Sequence, residues 1–501
     1  MASYAAINSI QSEHGSDSDS RSNSSRSRRT RHTKQNGLEG SASWISSVIN
    51  LVNTIVGAGV LAMPHAMSNM GITFGTIVIL WAGLTSGFGL YLQTRCARYL
   101  DRGSSSFFAL SQITYPGAAV VFDAAITLKC FGVGVSYLII IGDLMPGVVR
   151  GFVPNIDQGS ALYLVDRQFW VTAFMIIVIP LSFLRRLDSL KYTSFVALVS
   201  ISYLVVLVVY HFFVDDAGAE RGPVHWVAWQ GLGSTLSSFP VIVFAYTCHQ
   251  NMFSILNEIK DPSPARTTTV VTASIGSAAI IYVLVAITGY LTFGDNVLGN
   301  IVAQYVPNVF ATIGRAAIVV LVMFSYPLQV HPCRASLDAV LKWRPVNRRT
   351  QELTPAPSSR GSPSRSSLLG AGKVPSARSN PSEMGEVRFA ILTTIIIILS
   401  YMVAMTVSSL DKVLAYVGST GSTAISFILP GLFYYKISSP DSPHHQRLLK
   451  DEEDEEEGGT NNGRQGRSEL LRKLSLAIAI YGICVMIVCL ITNTINIANG
   501  R

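Results

Sequence analysis

Long, predominantly apolar runs recur along this chain, and a run of about 20 such residues has one common fate, to cross a lipid bilayer as a helix. They cover residues 43–67, 72–92, 118–148, 169–183, 194–213, 232–256, 269–293, 310–330, 389–407, 413–435 and 474–491. Only 14% of the 501 residues are charged and 49% are hydrophobic, where a soluble domain carries about a quarter charged. The expected fold class is therefore an all-α polytopic membrane protein with about 11 transmembrane helices, and a soluble multi-domain enzyme is excluded. The net charge of +8 resides in tails and loops between the runs. It reads as orientation in a lipid bilayer rather than as a nucleic-acid surface.

The polar stretches divide the chain. Residues 1–42 form a Ser/Arg-rich tail without a signal-peptide core, expected to be disordered and cytosolic. Spans one to eight occupy 43–341, and a Pro/Ser/Arg-rich cytosolic linker 342–386 leads to spans nine and ten at 387–436. An acidic cytosolic linker at 437–469 precedes the last span and a lumenal C-terminus at 470–501. Basic residues follow the even-numbered spans, as at Arg95, Arg98 and Arg102, or Arg185 and Arg186. Acidic Asp215, Asp216, Glu220 and Asp295 sit in the opposite loops, so the N-terminus is expected in the cytosol. The Asn-x-Ser match at Asn23 then lies on the wrong side for glycosylation. Six cysteines show neither a disulfide framework nor metal-ligand spacing, and no cofactor is expected.

Two spans are unsuited to an unbroken helix. The first holds Asn50-Leu-Val-Asn-Thr-Ile-Val-Gly-Ala-Gly-Val-Leu-Ala-Met-Pro64, with Gly57, Gly59 and Pro64 at mid-span and the amides Asn50 and Asn53 one turn apart. Gly-x-Gly also serves as a close-packing face in membrane helices. The sixth turns polar at Tyr246-Thr-Cys-His-Gln-Asn251. A helix interrupted in the membrane exposes free N–H groups at the start of its second half and free carbonyls at the end of its first. Those groups suit a carboxylate and an ammonium respectively, the two charges of an amino acid. The interrupted spans each open a block of five, which predicts an inverted repeat with a site at the midplane and the eleventh span outside it.

The same residues carry a resemblance. Asn50 to Pro64 resembles the first-helix signature of the amino acid/auxin permease family. Phe244-Ala-Tyr-Thr-Cys-His-Gln-Asn251 is similar to its sixth-helix segment, and Val417-Gly-Ser-Thr-Gly-Ser-Thr423 with Phe427-Ile-Leu-Pro430 to its tenth. Within the family the chain looks most like fungal vacuolar amino acid transporters and sodium-coupled neutral amino acid transporters. The resemblance implies a LeuT-type 5+5 inverted repeat plus one extra helix, and secondary active amino acid transport across a vacuolar or lysosome-like membrane. Proton coupling is the leading expectation, and a sodium-coupled neutral amino acid transporter and an amino acid sensor signalling through its cytosolic tails are the competing ones.

The substrate position that the resemblance implies lies between Thr54, Gly57, Ala58 and Gly59 of the first break and Phe244, Ala245, Tyr246 and Cys248 of the second. The Gly57-Ala58-Gly59 amides are expected to hold the α-carboxylate and the carbonyls of Phe244 to Tyr246 the ammonium. The substrate side chain is expected near Cys130 and Tyr137 of the third span, where Tyr137 serves equally well as packing. For the coupling ion, H+ or Na+, the candidates are Asn50, Asn53, Ser325 and His249. Asn50 matches the first-span position of sodium-coupled relatives, while Ser325 offers a single hydroxyl. His249 and His65 are the candidate proton carriers, because an imidazole is the side chain suited to that task, with a neutral hydrogen-bonded histidine as the alternative for each. Asp123 and Lys129 are a candidate intramembrane pair, and Arg315 reads as structural.

Overall fold

The computed structural model describes residues 40–100, 102–153, 156, 161–184, 191–214, 221–227, 230–342, 385–446 and 461–499. Nearly all of the expected tail 1–42 and linker 342–386, and the acidic run Asp451 to Glu457, lie outside the described residues.

Helix follows helix along the chain. The first span is α1 (Trp44–Ile55) and α2 (Met63–Ser68), joined through a 3-10 turn at Ala58–Ala62. Then come α3 (Ile72–Ala97), the short α4 (Phe107–Thr114), α5 (Ala119–Phe152), α6 (Arg167–Ser182) and α7 (Lys191–Val214). The sixth span is α8 (Leu232–Ala245) with α9 (His249–Glu258), followed by α10 (Pro264–Phe293), the single turn α11 (Ile301–Gln304) and α12 (Val309–Lys342). The last three spans are α13 (Glu386–Thr406), α14 (Leu410–Val417) continuing into α15 (Leu429–Ile437), and α16 (Asn461–Ala498). Among the described residues there is no strand beyond an isolated parallel bridge, Ala42 to Ile259.

Among the described residues, eight helices are long and apolar enough to cross a membrane, and the bent pair in the first span makes a ninth. The other two expected spans correspond to α6, which has 16 residues, and to the α8/α9 pair, whose second half is polar.

Both expected interruptions are present. α1 ends where Val56 turns extended and its N–H caps Val52 O at 2.8 Å. The chain resumes 47° away, and Pro64 sits at the start of α2, where its missing N–H costs nothing. In the sixth span Tyr246 N–H still reaches Ile242 O at 3.3 Å and Thr247 N–H reaches Phe244 O at 3.0 Å, then the helix stops until His249. A third irregularity was not foreseen. Gly418–Ser422 and Ala424–Ile428 form wide π-helical turns within the tenth span. This shape lets Gly418 lie against the Pro240 carbonyl of α8.

Three arginines, Arg315 and Arg334 buried and Arg167 half-buried, tie the spans together through carbonyls, a hydroxyl and a carboxylate. Arg315 Nε donates to Val302 O at 3.0 Å and its guanidinium also reaches Ala303 O and Tyr305 O at the end of α11. Arg334 Nη1 joins α12 to Ser182 O (3.3 Å) and Thr393 Oγ1 (2.9 Å). Arg167 pairs with Asp143 of α5 at 3.2 Å and donates to Val407 O at 3.2 Å.

The two interrupted spans meet at Gly59. A Cβ added there would lie 2.5 Å from Ala245 Cβ, closer than two carbons can approach. Gly59→Val must therefore push the Ala58–Ala62 turn and α8 apart, an overpacking cost of about 1–3 kcal/mol or more. We expect it to lower the melting temperature and the yield of monodisperse protein in detergent; wild-type values for both would contradict this contact.

Candidate functional site

The breaks face a cavity of about 480 Å³, within the size range of small-molecule sites. α1 supplies Asn50, Asn53, Thr54 and the turn Gly57-Ala58-Gly59; α8 and α9 supply Phe244, Ala245, Thr247, Gln250 and Asn251. α5 adds Ile126, Lys129, Val133 and Tyr137, while α12 adds Ser325, Gln329 and Ser336. The cavity reaches solvent past Asn50 and Asn251, both exposed.

A second cavity, also about 480 Å³, lies between α2, α8, α14 and α16. Its walls include Ala62 and Val241, one turn along the same spans from Gly59 and Ala245 of the first. The Gly59–Ala245 contact is part of the partition between them.

Around the first cavity the polar groups divide into those already engaged and those left open. The first amides of the Ala58–Ala62 turn have no acceptor within their own turn, and nothing lies within 4 Å of where a Gly57 Cβ would be, so that cradle is open. Thr54 Oγ1 donates to Asn50 O at 2.9 Å and accepts from Asn251 Nδ2 at 3.3 Å, linking the two breaks. Asn53 Oδ1 and Gln250 Oε1 are buried without a hydrogen-bond partner. Two unpaired acceptors at one cavity wall are costly unless something that donates, an ammonium or a hydrated cation, arrives. Ser325 Oγ is engaged with Leu321 O at 2.7 Å. Lys129 is 4% exposed and is the one charged side chain among the described lining residues.

The sequence-derived candidates separate accordingly. Thr54, Gly57, Ala58, Gly59, Phe244 and Ala245 line the cavity with Asn50, Asn53, Ser325 and Tyr137. Tyr246, Cys248, His249 and Cys130 do not. Tyr246 packs behind the break, edge-on to Tyr282 with ring centroids 5.0 Å apart. His249 is fully buried between α3 and the tenth span, its Nε2 3.1 Å from Ser86 O and its Nδ1 3.2 Å from Ser426 Oγ. Its position away from the cavity follows from the first turn of α9, which points that side chain at Gly89 and Ser426. His65 borders the second cavity, with Nδ1 2.9 Å from Val297 O. No ion pair joins Asp123 to Lys129 among the described residues. Gln250, Asn251 and Gln329 were not singled out beforehand; the polar run after Tyr246 was the available signal for the first two.

A family model described as transmembrane amino acid transporter protein matches residues 40–452. The chain belongs to that family. It is an integral membrane protein of a family of transporters, not enzymes. This transporter is 40% identical over 465 residues to vacuolar amino acid transporter 5 of Schizosaccharomyces pombe, spanning 92% of this chain and 95% of the relative. It is 25% identical over 433 residues to sodium-coupled neutral amino acid symporter 2 of Danio rerio, spanning 80% and 77%. Among solved structures, MhsT in complex with L-phenylalanine superposes with a TM-score of 0.53 at 14% identity, covering 91% of this chain and 100% of the other. The fold is thus the expected LeuT type.

Because the Gly57 Cβ direction is empty, Gly57→Val can be accommodated by the fold while its side chain fills the cradle. It is expected to reach the membrane in wild-type amount and to lose amino acid binding by tenfold or more, on the order of the ~1.4 kcal/mol that a factor of ten represents. Scintillation proximity binding on purified protein checks this, and wild-type affinity would remove the cradle from the site.

Proposed function

We propose that this protein is a secondary active amino acid carrier of the vacuolar membrane, proton-linked, working by alternating access at the paired breaks. The carrying observation is that both interruptions of the bilayer helices open onto one cavity, with the Gly57 to Gly59 amides ahead of the turn's first bond, Val60 N–H to Gly57 O, and unpaired oxygens at Asn53 and Gln250. Those two sets answer the two charges of an α-amino acid. The amides would take the carboxylate; Asn53 Oδ1 and Gln250 Oε1 would take the ammonium.

The membrane is proposed from the vacuolar name of the S. pombe relative. With the N-terminus in the cytosol, the first cavity faces the cytosol and the second the lumen. The Gly59–Ala245 partition then closes the lumenal path, and rocking α1, α2, α8 and α9 against α5 and α12 would exchange the open side.

Proton linkage is favoured over sodium by the few oxygens left open for a bare cation. Ser325 Oγ is engaged with Leu321 O at 2.7 Å and no Asp or Glu stands among the described lining residues, so a sodium ion would lack a full ring of oxygen ligands. The sodium-coupled relative and the unpaired Asn53 oxygen support the second reading. Flux of radiolabelled amino acids into proteoliposomes under separately imposed proton and sodium gradients decides. Accumulation driven by the proton gradient, and unchanged on replacing sodium by choline, is expected. Accumulation needing sodium would overturn the ion assignment, and no flux under either gradient would overturn the function.

A further inference from the structure

One phenol touches both interrupted spans. Tyr282, in the middle of α10, is fully buried, and its hydroxyl lies 2.7 Å from Ile55 O and 2.8 Å from Ala245 O. Ile55 is the last residue of α1 and Ala245 the last of α8. A carbonyl at the end of a helix lacks its intrahelical donor and carries the negative end of the helix dipole. Here two such ends, one from each half of the inverted repeat, point at the same oxygen. A hydroxyl owns one hydrogen, so the two carbonyls share it or take it in turn.

We propose that Tyr282 is the positioning residue that holds the two breaks in register and sets which of their carbonyls are left for the amino acid. Sharing one hydrogen makes the separation of the α1 and α8 ends depend on one atom. Movement of either end away from the other breaks a bond, so α1, α8 and α10 travel as a unit. The same pairing engages Ile55 O and Ala245 O, which directs an incoming ammonium to Asn53 Oδ1 and Gln250 Oε1, the acceptors without partners. A second tie acts at the far end of the same half-helices. Ala42 N–H donates to Glu258 O at 2.9 Å and Lys260 N–H to Ala42 O at 3.0 Å, joining the start of α1 to the end of α9. The inference rests on the reading of the breaks as the amino acid site.

The test is Tyr282→Phe in the full chain, which removes the hydroxyl and keeps the ring packed against Tyr246. Initial uptake by proteoliposomes is measured against amino acid concentration, with melting temperature beside it. The expected result is a KM raised about tenfold with a maximal rate within about twofold of wild type, the pattern of weakened ground-state binding. Tyr290→Phe is the matched variant. It removes another buried hydroxyl of α10, one that bonds Asp295 Oδ1 (2.8 Å) and His225 N–H (2.9 Å) far from the breaks, and its KM is expected to stay at the wild-type value. An unchanged KM in Tyr282→Phe would overturn the proposal. So would a Tyr282→Phe protein that fails to accumulate, or loses transport only in step with melting temperature, since the hydroxyl would then be a folding group. A wild-type protein that carries no amino acid would sink the site reading itself, and the two failures are told apart by that control.

Discussion

A peptide group that leaves its helix inside a bilayer has no water to turn to, and an unpaired N–H or C=O there costs several kcal/mol. The rest of this structure answers that constraint. Two spans break, and their loose groups are met by each other's neighbourhood. Val56 and Thr247 N–H fold back onto their own helices, Tyr282 takes the two terminal carbonyls, and Thr54 and Asn251 bridge between the spans. The Asn53 and Gln250 oxygens, which remain unmet, and the Gly57 to Gly59 turn line one cavity.

The scaffold around that remainder is built for close approach. Gly59 lets the Ala58–Ala62 turn of the first span touch α8, and Gly418, on a π-helical turn, lets the tenth span press against the Pro240 carbonyl. Contacts made backbone to backbone leave little room for intermediate geometries, which suits elements that must rock as bodies rather than deform. Arg167, Arg315 and Arg334 are not among the cavity's described lining residues and bond helix ends and neighbouring helices, so they serve the frame, while Lys129 is the one basic side chain on the described cavity wall.

Much of the fold was legible because lipid imposes a coarse rule. Apolar length marks the spans, and Gly57, Pro64 and the polar run after Tyr246 mark the breaks. The number of spans was less legible, since α6 and the α8/α9 pair fall short in length or apolarity. The site was read from backbone logic, which put Thr54 to Gly59 and Phe244 to Ala245 at the cavity. Side-chain direction was beyond it. Whether His249 looks into the cavity or toward Ser86 depends on the rotation of α9, and no local pattern encodes that rotation. Tyr282 gave no sign, because a tyrosine in an apolar run looks like packing until its two carbonyl partners are seen. The widened turns at Gly418 to Ile428 had a signal in the Gly-Ser-Thr-Gly-Ser-Thr run, but small polar residues mark tight packing as readily as a wide turn.

The most direct measurement is a cryo-EM map of the full chain with a saturating transported amino acid. Density for its carboxylate against the amides of Gly57 to Gly59 and for its ammonium beside Asn53 and Gln250 is the predicted result. Density confined to the second cavity beside His65 and Asp411, or continuous helix through residues 55–59 and 245–249, would contradict the account.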